Sequence, residues 1–319
     1  MDRVKVLYIA GWGRSGSTLI SSVLGSVPGF FAAGELAFLW AALHHREWRC
    51  SCRSLLTACP VWQQVLEQGL GEVNPDTIRA MHLGVDALLN KKRYGWRVLG
   101  RAVPPDESGR PLLGRIEHFY GAMRDVTRAR VIVDSSKVPL YATWLHEMPS
   151  IDLYVLHLVR DPRAVAYSWS RPKDNMSGSG SFHIPHRSTV QSALRWSGVN
   201  QVVELMRRRL PLRYMRLRYT DFVRQPRQEL EKVLHFVGEP AAANPIREDR
   251  TIELTSQHIA FGNPDRMQHG TIHLAPRNEW RDRLPAFDRR VVTLLCSPLM
   301  MRYGYSLAMH GGRTPMPAV

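Results

Sequence analysis

The sequence predicts an α/β fold: a P-loop-containing parallel sheet of four or more strands flanked by helices, with a helical insertion. Three observations carry this. VKVLYIA at 4–10 is an apolar run without polar alternation, the pattern of a strand buried on both faces. It runs directly into GWGRSGST at 11–18, where Gly11 and Gly16 keep the GxxxxG spacing of a phosphate loop, and then into the helical pattern STLISSVLGSV. Further buried-strand runs follow in ARVIVDSSK (129–137), in IDLYVLHLVRDPRAVAYSWSR (151–171), and in RYMRLRYTDF (213–222).

Taken in order, the first strand, its glycine-rich turn and the helix from Ser17 form one unit. From about 37 to 128 the pattern is mostly helical. LLTACPVWQQVLEQGL (55–70) and PDTIRAMHLGVDALLNKKR (75–93) read as amphipathic helices, and PPDESGRP (104–111) as a loop. The segment 151–171 passes from strand into helix at Pro162. RPKDNMSGSGSFHIPHR (171–187) is rich in glycine and serine, has no apolar periodicity, and reads as a mobile loop beside the site. The helix STVQSALRWSGVNQVVELMRRRL follows. TSQHIAFGNPDRMQHGTIHLAPRNEWRDRL is loop-rich and precedes a final helix. We expect one domain over 1–307 and a flexible tail over 308–319.

Among 319 residues, 43 Lys+Arg against 28 Asp+Glu give a net charge of +15. Such a balance calls for an anionic partner: nucleic acid, an anionic membrane surface, or a phosphorylated small molecule. No run of about 18 apolar residues is present, and the start lacks the features of a signal peptide. The expectation is a cytoplasmic protein without a transmembrane segment, with peripheral membrane contact and oligomeric state left open. The interleaved arginines of RRRLPLRYMRLRY (207–219) are read as solvated faces or an anion-attracting mouth, so no nucleic-acid partner is expected.

The phosphate loop departs from that of a nucleotide hydrolase, because Ser17 stands where the lysine belongs. Consecutive amides and the helix N-terminus still suit an anion; Arg14 adds a charge, and Ser17 and Thr18 add hydroxyl donors. A P-loop kinase acting on a small molecule is the alternative, with Asp134 as its metal-binding carboxylate. A basic nucleic-acid-binding protein is the third reading. In HLVRDPRAVAYSWSR (157–171), Arg160 ends a strand and Ser168 lies two turns into the next helix, so the two can grip a second phosphate.

With GRSGSTLI (13–20), GEL (34–36), DSSK (134–137), VRDPRAVAYS (159–168), YTDFVRQP (219–226) and GNPDR (262–266), the chain resembles the PAPS-dependent sulfotransferases, in particular a bacterial branch similar to the tyrosylprotein sulfotransferases. That resemblance implies a PAPS-dependent sulfotransferase that passes a sulfuryl group to an acceptor hydroxyl and releases adenosine 3′,5′-bisphosphate. It places the 5′-phosphosulfate of PAPS on Arg14, Ser15, Gly16, Ser17 and Thr18, and the 3′-phosphate on Arg160 and Ser168. Glu35 becomes the base, with His183 or His186 as rival, and Lys137 stabilises the leaving phosphate or the transferring oxygens. The resemblance implies no metal requirement. Asp134 and Ser135 are expected to order their turn, and Tyr219 to pack a strand end. The acceptor is a small-molecule, glycan, lipid or peptide hydroxyl; Trp40, Trp48 and Trp62 either line its cleft or lie in the core.

The cysteines of REWRCSCRSLLTACPVW remain outside this scheme. Cys50, Cys52 and Cys59, with His44 or His45 as a fourth ligand, offer a zinc set, but CxC with a distant third cysteine fits the usual CxxC spacing poorly. A local disulfide or buried thiols is the favoured reading.

Overall fold

The computed structural model describes residues 3–45, 48–171, 186–255 and 257–308. Most of the segment 171–187, including His183, and nearly all of the tail 308–319 lie outside the described residues.

Strand β1 (Val4–Ala10) feeds helix α1 (Ser17–Gly25), and β2 (Phe30–Gly34) returns the chain to the sheet. The helical region then runs through α2 (Leu39–His44), α3 (Pro60–Leu70), α4 (Pro75–Leu88), α5 (Lys91–Tyr94) and α6 (Gly109–Thr127). Strand β3 (Val131–Lys137), helix α7 (Pro139–Glu147), strand β4 (Ile151–Val159) and helices α8 (Pro162–Trp169) and α9 (Thr189–Arg209) follow. The chain continues through β5 (Arg213–Arg218), α10 (Tyr219–Arg224) and α11 (Pro226–Phe236). It ends with β6 (Thr251–Leu254), β7 (Gly270–His273), α12 (Trp280–Arg283) and α13 (Ala286–Arg302).

The first five strands form one sheet in the order β2-β3-β1-β4-β5, and every neighbouring pair is parallel. The α/β fold class with its parallel sheet and flanking helices is therefore observed. Successive residues of β1 lie in different apolar clusters. Val6 and Tyr8 pack toward the helical region, while Leu7 and Ile9 pack against α1 and α11. This two-sided burial explains why the strand lacks polar alternation. In a parallel sheet the crevice beyond the carboxyl ends of the strands is where a ligand binds. Here those ends lead into residues 11–16, Glu35, Lys137, Arg160 and Tyr219.

Three local expectations are corrected, and one strand carries no signal in the sequence. FFAAG is the edge strand β2, too short and too alanine-rich to stand out by strand propensity. The strand at 213–222 stops at Arg218, and Tyr219 opens a helix instead of ending the strand. Helix α6 begins at Gly109, inside the expected loop at 104–111; Pro111 sits in its first turn, where its missing N–H costs nothing. The four-residue strand β7 lies within the segment read as loop and pairs antiparallel with β6, which immediately precedes that segment.

Candidate functional site

The phosphate loop owes its shape to left-handed backbone at residues 14 and 16. Arg14 has φ 67° and Gly16 has φ 95°. A Cβ on Gly16 would lie 2.4 Å from the Tyr219 ring, so glycine is required there by both conformation and space. A Cβ on Gly11 would meet the Leu158 carbonyl oxygen at 2.4 Å. Helix α1 starts at Ser17 with no side-chain cap and no acidic residue in its first turn, which leaves its N-terminal amides for an anion. The Ser15 hydroxyl is buried without a hydrogen-bond partner. An orphaned donor and a cradle closed to any Cβ fit a phosphate-like group.

Two guanidiniums flank the loop. Arg14 lies over the Trp169 ring at 5.2 Å, and its own carbonyl accepts a hydrogen bond of 3.1 Å from Arg160 Nη1. Arg160 stacks on Tyr219 at 4.6 Å. Burial lowers the pKa of both guanidiniums from the usual arginine range, with Asp265 and Glu35 opposing the effect at Arg14 and Tyr219 at Arg160. Cations already stripped of water attract an anion more strongly than solvated ones. The neighbouring Asp161 has a different task. It caps α8 through the Arg163 amide and grips the Arg163 side chain at 2.9 and 2.7 Å, and Arg163 in turn donates to the Ser306 and Ala308 carbonyls. Ser168 lines the same cleft as Arg160.

On the other side of the loop, Glu35 and Lys137 meet. Lys137 Nζ lies 2.6 Å from Glu35 Oε1, and the side chains are only 13% and 15% exposed. Lys137 also donates to the Ser135 carbonyl at 2.7 Å from a left-handed backbone with φ 66°. Asp134 and Ser136 set this geometry. One Asp134 oxygen accepts from the Ser136 amide and hydroxyl, the other from the Tyr120 hydroxyl at 2.6 Å, and Ser136 Oγ accepts from the Ala37 amide at 2.9 Å. The DSSK turn is thereby bonded to the turn carrying Glu35. Burial pushes the Asp134 carboxyl up to about 6, against the hydrogen bonds from Ser136 and Tyr120. With both oxygens engaged in these bonds, Asp134 orders the turn.

Both sets of residues line one cleft of about 680 Å³. Its walls carry Arg14, Lys137, Arg160, Arg171, Arg187, Arg266 and Arg277 against Glu35, Asp265 and Glu279. Gly16, Ser17 and Thr18 also line it; Ser15 lies beneath the loop at 1% exposure. Aromatic residues close the Glu35 end: Phe261 packs on Trp48 at 4.6 Å and on Phe38 at 6.0 Å. Trp40 and Trp62 are core residues at 2% and 0% exposure. His186 is exposed and is not part of the cleft wall.

Sequence reading left Arg266 unassigned and missed Trp169 and Arg187. Arg266 donates to the Gly262 and Arg49 carbonyls and so ties residues 262–266 to the helical region. Trp169, Trp12 and the Arg187 guanidinium stack on one another beside Arg14. Single aromatic and arginine residues scattered over three segments carry no spacing signal. The zinc set is also corrected: His44 meets His45 edge-on and stacks on His82. The histidine that meets Cys50, Cys52 and Cys59 is His258.

The sequence model of the group described as "Sulfotransferase family" matches residues 7–243. Carbohydrate sulfotransferase 3 of Homo sapiens is 30% identical over 179 residues, covering 51% of this chain and 36% of the relative. Its Mus musculus counterpart is 29% identical over 174 residues with the same coverage. The chain thus spans about a third of the length of these curated relatives. The sulfotransferase domain from the curacin biosynthetic pathway superposes with a TM-score of 0.53 at 17% identity, over 97% of this chain and 100% of that one. That from the Synechococcus PCC 7002 olefin synthase gives 0.53 at 23% identity, over 96% and 97%. These two share the fold.

Proposed function

Because the chain belongs to the sulfotransferase family, we propose that it transfers the sulfuryl group of PAPS to an acceptor hydroxyl and releases adenosine 3′,5′-bisphosphate. The observation that carries this reading is one basic cleft with two regions whose donors suit anions. The orphaned Ser15 hydroxyl and the amides before α1 form one; Arg160 and Ser168 form the other. A donor with a phosphosulfate at one end and a 3′-phosphate at the other needs both.

PAPS supplies an activated sulfuryl group when bound, and the chain's residues do the rest. Glu35 takes the proton of the acceptor hydroxyl as its oxygen bonds to sulfur. The bond from sulfur to the 5′-phosphate oxygen breaks, its electron pair stays on that oxygen, and Lys137, Arg14 and the loop amides meet the developing charge. Glu35 then returns its proton to solvent. Since Lys137 is paired with Glu35 at rest, moving the ammonium onto the transferring oxygens also frees the carboxylate.

The aromatic patch of Phe38, Trp48 and Phe261 beside Glu35 supports an acceptor with an apolar or ring face, and the names of the curated relatives put glycans first. No helix among the described residues is long and apolar enough to cross a membrane. We place the activity in the cytoplasm on a separate ground, that none of the four cysteines is in a disulfide. Labelled PAPS offered with glycan, glycolipid, peptide and small-molecule hydroxyls is the test. Label should pass to one class. Purified protein that binds neither PAPS nor the bisphosphate by calorimetry refutes the proposal.

A further inference from the structure

Between the helical region and the cleft-closing segment, Cys50, Cys52, Cys59 and His258 bring one donor atom each to within 4.8 Å of all the others. None of the three thiols is in a disulfide. Cys52 Sγ lies 3.7 Å from Cys59 Sγ, and His258 Nδ1 lies 3.2 Å from Cys59 Sγ and 3.8 Å from Cys50 Sγ. Tetrahedral zinc with bonds of about 2.3 Å to sulfur and about 2.05 Å to nitrogen separates its ligands by about 3.8 Å between sulfurs and about 3.6 Å between sulfur and nitrogen. The three distances above lie close to these lengths, and the remaining edges of the cluster are no longer than 4.8 Å.

The backbone around the cluster holds this shape. Cys50 and Cys52 sit on a tight knuckle, closed by Cys50 N to Ser54 O at 2.9 Å and Arg53 N to Cys50 O at 2.8 Å, with Arg53 left-handed at φ 75°. Cys59 precedes Pro60 at the start of α3. Chain connectivity does not bring His258 here; neighbouring hydrogen bonds do. Ser51 Oγ donates to the Gln257 carbonyl and accepts from the Ile259 amide, while Trp62 Nε1 donates to the His258 carbonyl at 2.6 Å. Cys50 and Cys59 are fully buried, and four protein donors leave no coordination position for water or substrate.

We propose that these four residues bind a structural zinc ion that staples residues 257–262 to the helical region. The staple reaches the cleft within a few residues. Ala260 N donates to the Ala33 carbonyl, Phe261 bridges to Gly34, and the Phe261 carbonyl accepts from Glu35 N at 3.1 Å. The ion fixes the backbone against which Glu35 is set and takes no part in the transfer.

Untagged full-length protein, produced with zinc in the medium and dialysed, should contain about one zinc per chain by mass spectrometry. Cobalt(II) exchanged into it should give the near-ultraviolet thiolate band and strong visible bands of tetrahedral coordination. Cys52→Ser, at a partly exposed ligand, and His258→Gln should each lower retained zinc by about ten-fold or more, in the range of ligand-shell losses. Cys296→Ala, remote from the cluster, should retain it. Chelation should lower the melting temperature of the parent protein and leave that of Cys52→Ser unchanged. Zinc below about a tenth per chain with no cobalt–thiolate band overturns the proposal, as does a mass two daltons low from a disulfide among the three thiols; both readouts need only the parent protein.

Discussion

Removing the Arg160 guanidinium should weaken binding of adenosine 3′,5′-bisphosphate while sparing adenosine 5′-monophosphate, which lacks the 3′-phosphate. Arg160 donates to the Arg14 carbonyl and rests on Tyr219, so its position is fixed before a ligand arrives. Burial has already lowered its pKa, so the main desolvation cost precedes binding. A charge-assisted contact from so prepared a group belongs in the upper part of the usual range, about 2 to 3 kcal/mol, or roughly thirty- to a hundred-and-sixty-fold in Kd. Titration calorimetry of the parent protein and Arg160→Ala with both nucleotides isolates the 3′-phosphate, because damage to the loop through Arg14 weakens both ligands alike. Melting curves of the two proteins check that Tyr219 and α10 stay in place. Equal losses for the two nucleotides, or no loss for the bisphosphate, refute the assignment of Arg160 to the 3′-phosphate.

Glu35→Gln should keep bisphosphate affinity within about two-fold yet lose about a hundred- to ten-thousand-fold in turnover, the usual worth of a general base, as measured by label transfer. An active Glu35→Gln together with an inactive His183→Ala moves the base to the 171–187 segment. A third prediction concerns stability. His157 is wholly buried between Tyr214 and Asn200, and burial pushes its pKa down to about 4 against the hydrogen bond that its Nε2–H donates to Asn200 Oδ1. The unfolded chain takes up this proton near pH 6.5 and the folded chain only near 4, so stability is lost as pH falls through that window, by about 2 kcal/mol at pH 5. Urea melts of the parent and His157→Gln should show their stability gap shrinking by that amount from pH 7.5 to 5. Asp134 titrates in both proteins and cancels in the difference, so a constant gap refutes the linkage.

Legibility in the sequence followed the length scale of each signal. The strand, loop and helix around Gly11–Thr18 were readable because contiguous residues carry the whole pattern. Glu35 and Lys137 are legible one at a time, but their ion pair is not, since it arises from β2 lying beside β3 and the short, alanine-rich β2 carries no strand signal. The acidic residue of the RDP turn illustrates the opposite case: its motif was plain, while its partner Arg163 and the carbonyls of Ser306 and Ala308 emerge only in three dimensions. His258 is 199 residues from Cys59, beyond the reach of any spacing rule.

The strand order gives the cleft a built-in scale. Across the sheet from β2 to β5 come Glu35, Lys137, the Gly11–Gly16 loop, Arg160 and Tyr219, one per strand end, at steps of about 4.8 Å. Chain order scrambles this sequence, but space restores it as a linear array with the proposed base at one edge and the proposed nucleotide grip toward the other. On the proposed assignment, rebuilding the β2 edge and its adjoining helices alters the acceptor side, while the spacing on the donor side, fixed by backbone ladders among β1, β3 and β4, stays unchanged.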